Sequence, residues 1–322
     1  MKKVLSLALA LVIMCSCLVA CGGNDKKDVY KVGICQLVQH DALDAATKGF
    51  RDALTEALGD KVTFDEQNAQ GDSTVCSTIV TGFVANKVDL IMANATPALQ
   101  AAVAATTKIP ILGTSVTDYE TALNMTFDPA KGTGINVAGS SDGVPGVLYA
   151  DLVLELVPNA KNVSILYCSA EANSVVQSND FVAAMKEKAP NVKCNVFTFA
   201  DSNDIQTVVT TAIQNCDALY IPTDNQAASN MTIIHNVCAP AKMPIIAGEE
   251  NMCANGALAT VSINYYDIGH VCGEQAVKIL RDGADVSTLA IAYASDPVKE
   301  YNADYAAEIG FNMPDGYKKI GA

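Results

Sequence analysis

The chain has 322 residues, with 21 Lys and Arg against 35 Asp and Glu, for a formal net charge of −14. So acidic a surface repels phosphate backbones and anionic headgroups, which argues against nucleic acid or a charged membrane face as partner. The three histidines (His40, His235, His270) lie far apart and no C-x-x-C pair occurs, so the ligand spacing of a zinc site is missing and no metal or cofactor is expected.

In chain order, Met1-Lys-Lys3 reads as a basic n-region and Val4–Ala20 as an apolar h-region. The run ends in Leu18-Val-Ala-Cys21, which resembles a bacterial lipobox. The expectation is a signal peptide over residues 1–20, a lipid on Cys21 and a tether over 21–28. That tether would hold the folded part at the extracytoplasmic face of the cell membrane. A transmembrane anchor is the alternative, but the run is at the short limit for a span. About 300 residues remain, enough for two domains of ordinary size.

Those residues alternate between strand-like and helix-like patterns. Strands are predicted at 29–37, 62–69, 88–94 and 109–116, with helices opening at Asp41, at Asp72/Ser73 and at Thr96. The rhythm pauses over 117–143, around a short strand at 134–138. It restarts with a helix at 144–157 that carries Pro145 in its first turn. Strands follow at 163–167, 192–199, 218–221, 244–247 and 261–265. Helices are predicted at 174–188, 203–214, 225–239 and 267–280, and a last strand near 289–294. Continuous apolar strands between amphipathic helices imply parallel sheets covered on both faces. The fold class is therefore α/β, with two doubly wound parallel-sheet domains joined by a multi-strand hinge. The expected limits are a first lobe at 29–117 with 267–322 returning to it, a crossover at 118–143 and a second lobe at 144–266. Eight cysteines from Cys35 to Cys272 mostly replace small apolar residues; they read as core filler, with room for one or two disulfides.

Polar residues recur where these strands end. Gln36 follows the first, Thr96 the third, Asn173 and Ser174 the first of the second unit, Asp224 and Asn225 the strand at 218–221, and Glu249-Glu250 the next. In open parallel sheets, ligands bind outside the carboxyl ends of the strands. Helix starts there suit a carboxylate, and acidic side chains suit an ammonium. Together they describe a cleft for a free α-amino acid. Thr96 and Ser174 could equally be plain helix caps, and Asp224 could cap the helix behind it. Two rivals stand beside this reading. Gly139-Ser-Ser-Asp-Gly143 matches G-x-S-x-G, making Ser141 the nucleophile of a serine hydrolase with His235 or His270 as base. A sugar or nucleoside receptor is the other: Tyr119, Tyr167, Tyr265 and Tyr266 sit at strand ends or crossings and could face a ring of either kind.

Several segments carry a family resemblance. They are Lys31-Val-Gly-Ile34 with His40-Asp-Ala-Leu-Asp44, Asn68-Ala-Gln-Gly-Asp72, Ala95-Thr-Pro97, Ser115-Val-Thr-Asp118, Ser169–Ser174, Pro222-Thr-Asp-Asn225, Ala247-Gly-Glu-Glu250 and Tyr265-Tyr-Asp-Ile-Gly269. In this order the chain resembles the ABC transporter substrate-binding lipoproteins of the tryptophan/tyrosine type. The resemblance implies a type I periplasmic-binding-protein fold with three crossings that closes on its ligand. It further implies an aromatic amino acid (Trp, Tyr or Phe) delivered by a monomeric receptor to an ABC permease, without catalysis. Carried over by position, the contacts are Gln36, Thr96, Ser115, Asp118, Asn173, Ser174, Asp224, Asn225 and Glu250. Tyr119 departs from the family pattern, which has proline after the aspartate, and the stretch Glu120–Gly132 does not follow it.

Overall fold

The computed structural model describes residues 29–293 and 296–320; the leader, Cys21 and the tether lie outside them. Strands β1 (Tyr30–Gln36), β2 (Val62–Asn68), β3 (Leu90–Asn94), β4 (Ile111–Thr114), β5 (Val137–Ser140) and β11 (Ile291–Ala292) form one sheet in the order β11-β5-β4-β3-β1-β2. All its pairings are parallel. β3 and β4 are buried along their whole length, so apolar side chains leave both faces of the sheet into core. Helices α1 (Asp41–Leu58), α2 (Ser73–Ala85), α3 (Thr96–Ala105) and α4 (Tyr119–Leu123) connect the strands. α2 turns Cys76, Ile79, Val80 and Phe83 inward, as its spacing requires, and leaves Val75 exposed.

The second sheet runs β13-β12-β10-β9-β8-β6-β7. Its members are β6 (Asn162–Cys168), β7 (Lys193–Phe199), β8 (Ala218–Ile221), β9 (Ile245–Ala247), β10 (Ala259–Ser262), β12 (Val298–Tyr301) and β13 (Lys318–Lys319). Its helices are α5 (Gly146–Leu156), α6 (Ala172–Lys188), α7 (Ile205–Ala212), α8 (Asn225–Ser229), α9 (Met231–Cys238), α10 (Glu250–Ala254) and α12 (Ala303–Ile309). The core centres on Tyr149, Phe181 and Tyr220, whose rings pack at 4.2 Å (Phe181 to Tyr220) and 5.3 Å (Tyr149 to Tyr220) between centroids.

The remaining helix, α11 (Tyr265–Leu280), follows β10 in sequence yet packs along α1 in the first lobe. Small residues allow this. A Cβ on Gly269 would stand 1.9 Å from the Ala46 carbonyl oxygen, and one on Gly49 would stand 2.1 Å from that of Tyr266. The two backbones are thus in direct contact.

Three expectations change. The segment after 267 returns to the first lobe only as far as β11, because Val298–Tyr301 pairs antiparallel with β10 in the second sheet. Val298-Lys299-Glu300-Tyr301 carries no apolar run, and in the structure Glu300 is buried while Val298 is exposed, so a search for continuous apolar runs passes over it. The stretch 118–143 is not a free crossover: it holds α4 and β5, and β5 pairs with β4. The chain crosses between the lobes at 141–145, at 263–264 and between Ala292 and Val298. The helix predicted over 225–239 is two helices, broken at Asn230. All eight described cysteines are free thiols, six of them buried.

Candidate ligand-binding site

In each sheet the connections reverse direction at one place, between β1 and β3 in the first and between β6 and β8 in the second. The carboxyl ends of strands at such switch points form a crevice. The two crevices face each other. Between them lies a small cavity lined by His40, Leu43 and Ser115 of the first lobe, by Asp142 and Tyr265 at the crossings, and by second-lobe residues including Asn173, Thr223, Asp224, Asn225, Glu249 and Met252. Direct bonds hold the lobes together around it: His40 Nε2 with Asn225 Oδ1 (3.2 Å), Asn255 Nδ2 donating to Asp41 (3.0 Å) and Gln226 Nε2 donating to the Gly71 carbonyl (3.2 Å). The described state is closed.

Four carboxylates are buried at this junction: Asp142, Glu171, Asp224 and Glu249, each 3% exposed or less. Among the described residues none of them pairs with a lysine, arginine or histidine. They are held by hydrogen bonds alone. Asp142 accepts from Thr117 Oγ1 (2.9 Å) and Tyr265 Oη (2.8 Å). Asp224 caps α8 through Ala227 N and also accepts from Cys168 N and Ser174 Oγ, all at 2.8 Å. Glu249 caps α10 through Asn251 N and Met252 N. Glu171 accepts from Asn225 N, Asn225 Nδ2 and Gln226 N. Removal from water pushes the pKa of all four upward, that of Glu249 to about 7, against the pull of these donors.

The same region concentrates unsatisfied polar atoms. His40 Nδ1, Asn94 Oδ1, Thr96 Oγ1, Ser115 Oγ and Asn173 Oδ1 are buried without a hydrogen-bond partner. Such atoms are rare in folded proteins and each needs an explanation. Strained backbone lies here too: Ala95 (φ 90°) and Ser115 (φ 53°), neither a glycine, follow β3 and β4.

Of the residues predicted for the site, the structure brings Ser115, Asn173, Asp224 and Asn225 to the cavity wall. Thr96 stands behind it with its hydroxyl unpartnered, and Ser174 reaches it through Asp224. Three predicted residues lie elsewhere. Gln36 is fully engaged inside its own lobe, accepting from Thr47 and donating to Val38 and Asp44. Asp118 caps α4 and faces a separate groove beside Tyr293. Glu250 is only half-buried and turns toward Glu300 and Lys318; the preceding residue, Glu249, takes the cavity side. A pair of consecutive glutamates at a helix start gives no sequence signal for which one points inward. Sequence reasoning passed over His40 and Asp142, which line the cavity, and Glu171, which holds the cavity residue Asn225. Asp142 hid inside the G-x-S-x-G match, and Glu171 in a segment noted only for its caps. Of the four tyrosines, Tyr265 alone lines the cavity; Tyr119 is buried under β4 and β5, and Tyr266 bonds Asp52. The Ser141 hydroxyl donates to the Thr117 carbonyl and accepts from Gly143 N, while His235 contacts Glu308 and His270 contacts Glu56 and Glu274. No nucleophile–base pair forms there.

A two-lobed α/β chain with its polar cleft at facing switch points is the architecture of a solute receptor. Residues 31–319 match the family described as ABC transporter substrate binding protein, and the chain belongs to that family. It is 37% identical over 306 residues to the tyrosine-binding protein of Clostridioides difficile (strain R20291), covering 90% of this chain and 87% of that one. Its structure resembles that of an ABC domain in complex with L-Trp from Streptococcus pneumoniae, with TM-score 0.85, 31% identity, and coverage of 90% of this chain and 99% of that one. It also resembles the ligand-free, open structure of a substrate-binding protein with adhesive properties from Clostridium difficile, with TM-score 0.68, 35% identity, and coverage of 91% and 99%. The lobes superpose better on the ligand-bound relative, although the open one is more similar in sequence. The protein is thus the substrate-binding protein of an ABC transporter, with a type I periplasmic-binding fold.

Proposed function

We propose that the cleft binds a free amino acid with an aromatic side chain, tryptophan, tyrosine or phenylalanine, and presents it to an ABC permease. The observation that carries this reading is the set of four buried carboxylates without a basic partner. Buried charge of one sign is costly unless compensated, and an α-ammonium compensates it. The unpartnered hydroxyl of Ser115 is a donor for the ligand's carboxylate, and Asn173 Oδ1 is an acceptor for its ammonium. Leu43, Met252 and the ring of Tyr265 supply apolar surface for a side chain. The L-Trp complex and the tyrosine-binding relative point the same way. A neutral sugar would leave the carboxylates uncompensated, which disfavours the sugar reading.

The cavity is narrow as it stands, so the ligand enters with the lobes apart and the closed state forms around it. Only that state makes both sets of contacts, so binding shifts the population toward it. Receptors of ABC importers work outside the cytoplasm. Among the described residues no helix is long and apolar enough to cross a membrane. We propose that lipid on Cys21 holds the monomeric receptor beside its permease; mass spectrometry of the mature N-terminus tests this.

A thermal-shift screen of the chain from Asn24 onward, refolded to remove carried ligand, tests the binding reading. The panel holds the twenty amino acids, common sugars and nucleosides. Trp, Tyr or Phe should raise the melting point, since a ligand of the folded state alone stabilises it. A rise with a sugar or nucleoside only would overturn the amino acid.

A further inference from the structure

One chain of hydrogen bonds crosses the closed cleft and ends in an unused acceptor. Both oxygens of Glu171 receive backbone N–H groups, from Asn225 and Gln226, at 3.0 and 2.9 Å. Asn225 turns its Nδ2 donor to this carboxyl at 2.6 Å, the arrangement that an ionised Glu171 takes against the upward pull of burial on its pKa. That fixes the other end of the amide: Asn225 Oδ1 faces His40 Nε2 across the lobes at 3.2 Å. An oxygen there requires the proton on Nε2. The remaining ring nitrogen, Nδ1, then carries a lone pair, and it is buried with no partner. Burial also disfavours the imidazolium, outweighing the pull of Asp41 and Asp44.

His40 lines the cavity on the α1 side. Leu43, three residues on, shares its helix face, and Met252 of α10 lines the same cavity. The acceptor therefore belongs to a residue that lines one small cavity together with the apolar Leu43 and Met252 and the carboxylates Asp142, Asp224 and Glu249.

We propose that His40 is a specificity-determining residue whose Nδ1 accepts a hydrogen bond from the ring N–H or O–H of the ligand. The cleft then prefers indole and phenol side chains to a bare phenyl ring, and Glu171 and Asn225 act as positioning residues that set the tautomer. The preference exists only in the closed state, because the first lobe supplies His40 and the second supplies the groups that orient it. This rests on the aromatic amino acid reading above and narrows it.

The test is calorimetry with matched ligand pairs that differ by one donor: tyrosine against phenylalanine, and tryptophan against 3-benzothienyl-L-alanine, in which sulfur replaces the ring N–H. The intact protein should bind the donor-bearing member of each pair about ten-fold or more tighter, because a site built around a hydrogen bond rejects the analogue that lacks it. In His40→Ala the tyrosine-to-phenylalanine ratio should fall toward one. In Glu171→Gln the ratio should also shrink, and the ¹⁵N shifts of the His40 ring should report loss of the single tautomer. Equal binding within each pair by the intact protein overturns the proposal and leaves the amino acid reading standing. So does an equal loss of both ligands in His40→Ala, which would make His40 a closure contact only. If none of these ligands binds, the reading and the proposal fall together.

Discussion

Asp224 shows how one carboxylate can hold structure and ligand at once. It caps α8, takes the Cys168 amide and the Ser174 hydroxyl, and still borders the cavity. We expect Asp224→Ala to weaken amino acid binding by roughly 2–4 kcal/mol, the range for breaking one side of a buried charge pair. The lost cap should also lower the melting temperature of the free protein by an amount worth about 1 kcal/mol. Calorimetry and thermal denaturation read the two effects separately; a change in melting alone would make Asp224 a cap and nothing more. Glu249 sets a pH dependence. Its folded pKa of about 7 lies above the ordinary 4.5 because the carboxyl is dehydrated. A raised carboxyl favours the protonated fold, so its contribution to stability is complete below pH 4.5 and is lost as pH rises through 7. An ammonium beside it favours the ionised form, so binding expels the proton. Affinity should therefore rise between pH 5.5 and 7.5, with proton release visible as a difference between buffers of unlike ionisation enthalpy. Affinity flat across that window would place the ammonium away from Glu249. At this scale the sequence was only partly legible. Asp224 and Asn225 could be found because they end an apolar strand, whereas Glu171 and Asp142 are recognisable only through partners 54 and 123 residues away.

Among the elements, the pair α1 and α11 does most to shape the cleft. α1 presents His40, Asp41 and Leu43 toward the second lobe, and α11 is the first element after the crossing at 263–264. Their contact leaves no room for a side chain at Gly269. Gly269→Ala must push the helices apart, and overpacking of this kind costs about 1–3 kcal/mol. Urea denaturation should show that loss in the free protein. An unchanged midpoint would mean that the pair is looser than its geometry indicates. The strands and the longer helices up to β10 were readable from apolar runs and caps, since each depends on local periodicity; the short helices α4 and α10 and the break at Asn230 were not. The placement of α11 against α1 and of β12 on the second sheet was not, because it depends on which distant surface each segment meets.

For the whole molecule, polar ties join the lobes beside an apolar contact in which Ala42 and Ala46 of α1 reach the second lobe's core, and each tie present only in the closed form biases the balance toward it. Asn255 to Asp41 is an exposed tie between the lobes whose partners do not themselves line the cavity. Asn255→Ala should leave each lobe intact yet weaken ligand binding modestly, because the closed state alone gains from that contact. Small-angle scattering should show a larger radius in the ligand-free variant and the same compact radius once ligand saturates it. Equal radii without ligand would show that the tie does not bias closure.

The eight free thiols carry a consequence of another kind. While the chain is folded, six of them are sealed from any oxidant by the packing around them. Unfolding exposes all eight together, and eight thiols can pair in on the order of a hundred ways, none of them present in the native state. In aerated surroundings each excursion to the unfolded chain is thus an opportunity for irreversible scrambling. The receptor's working lifetime there is governed by how rarely it unfolds, and a bound solute, by making unfolding rarer, also acts as its antioxidant.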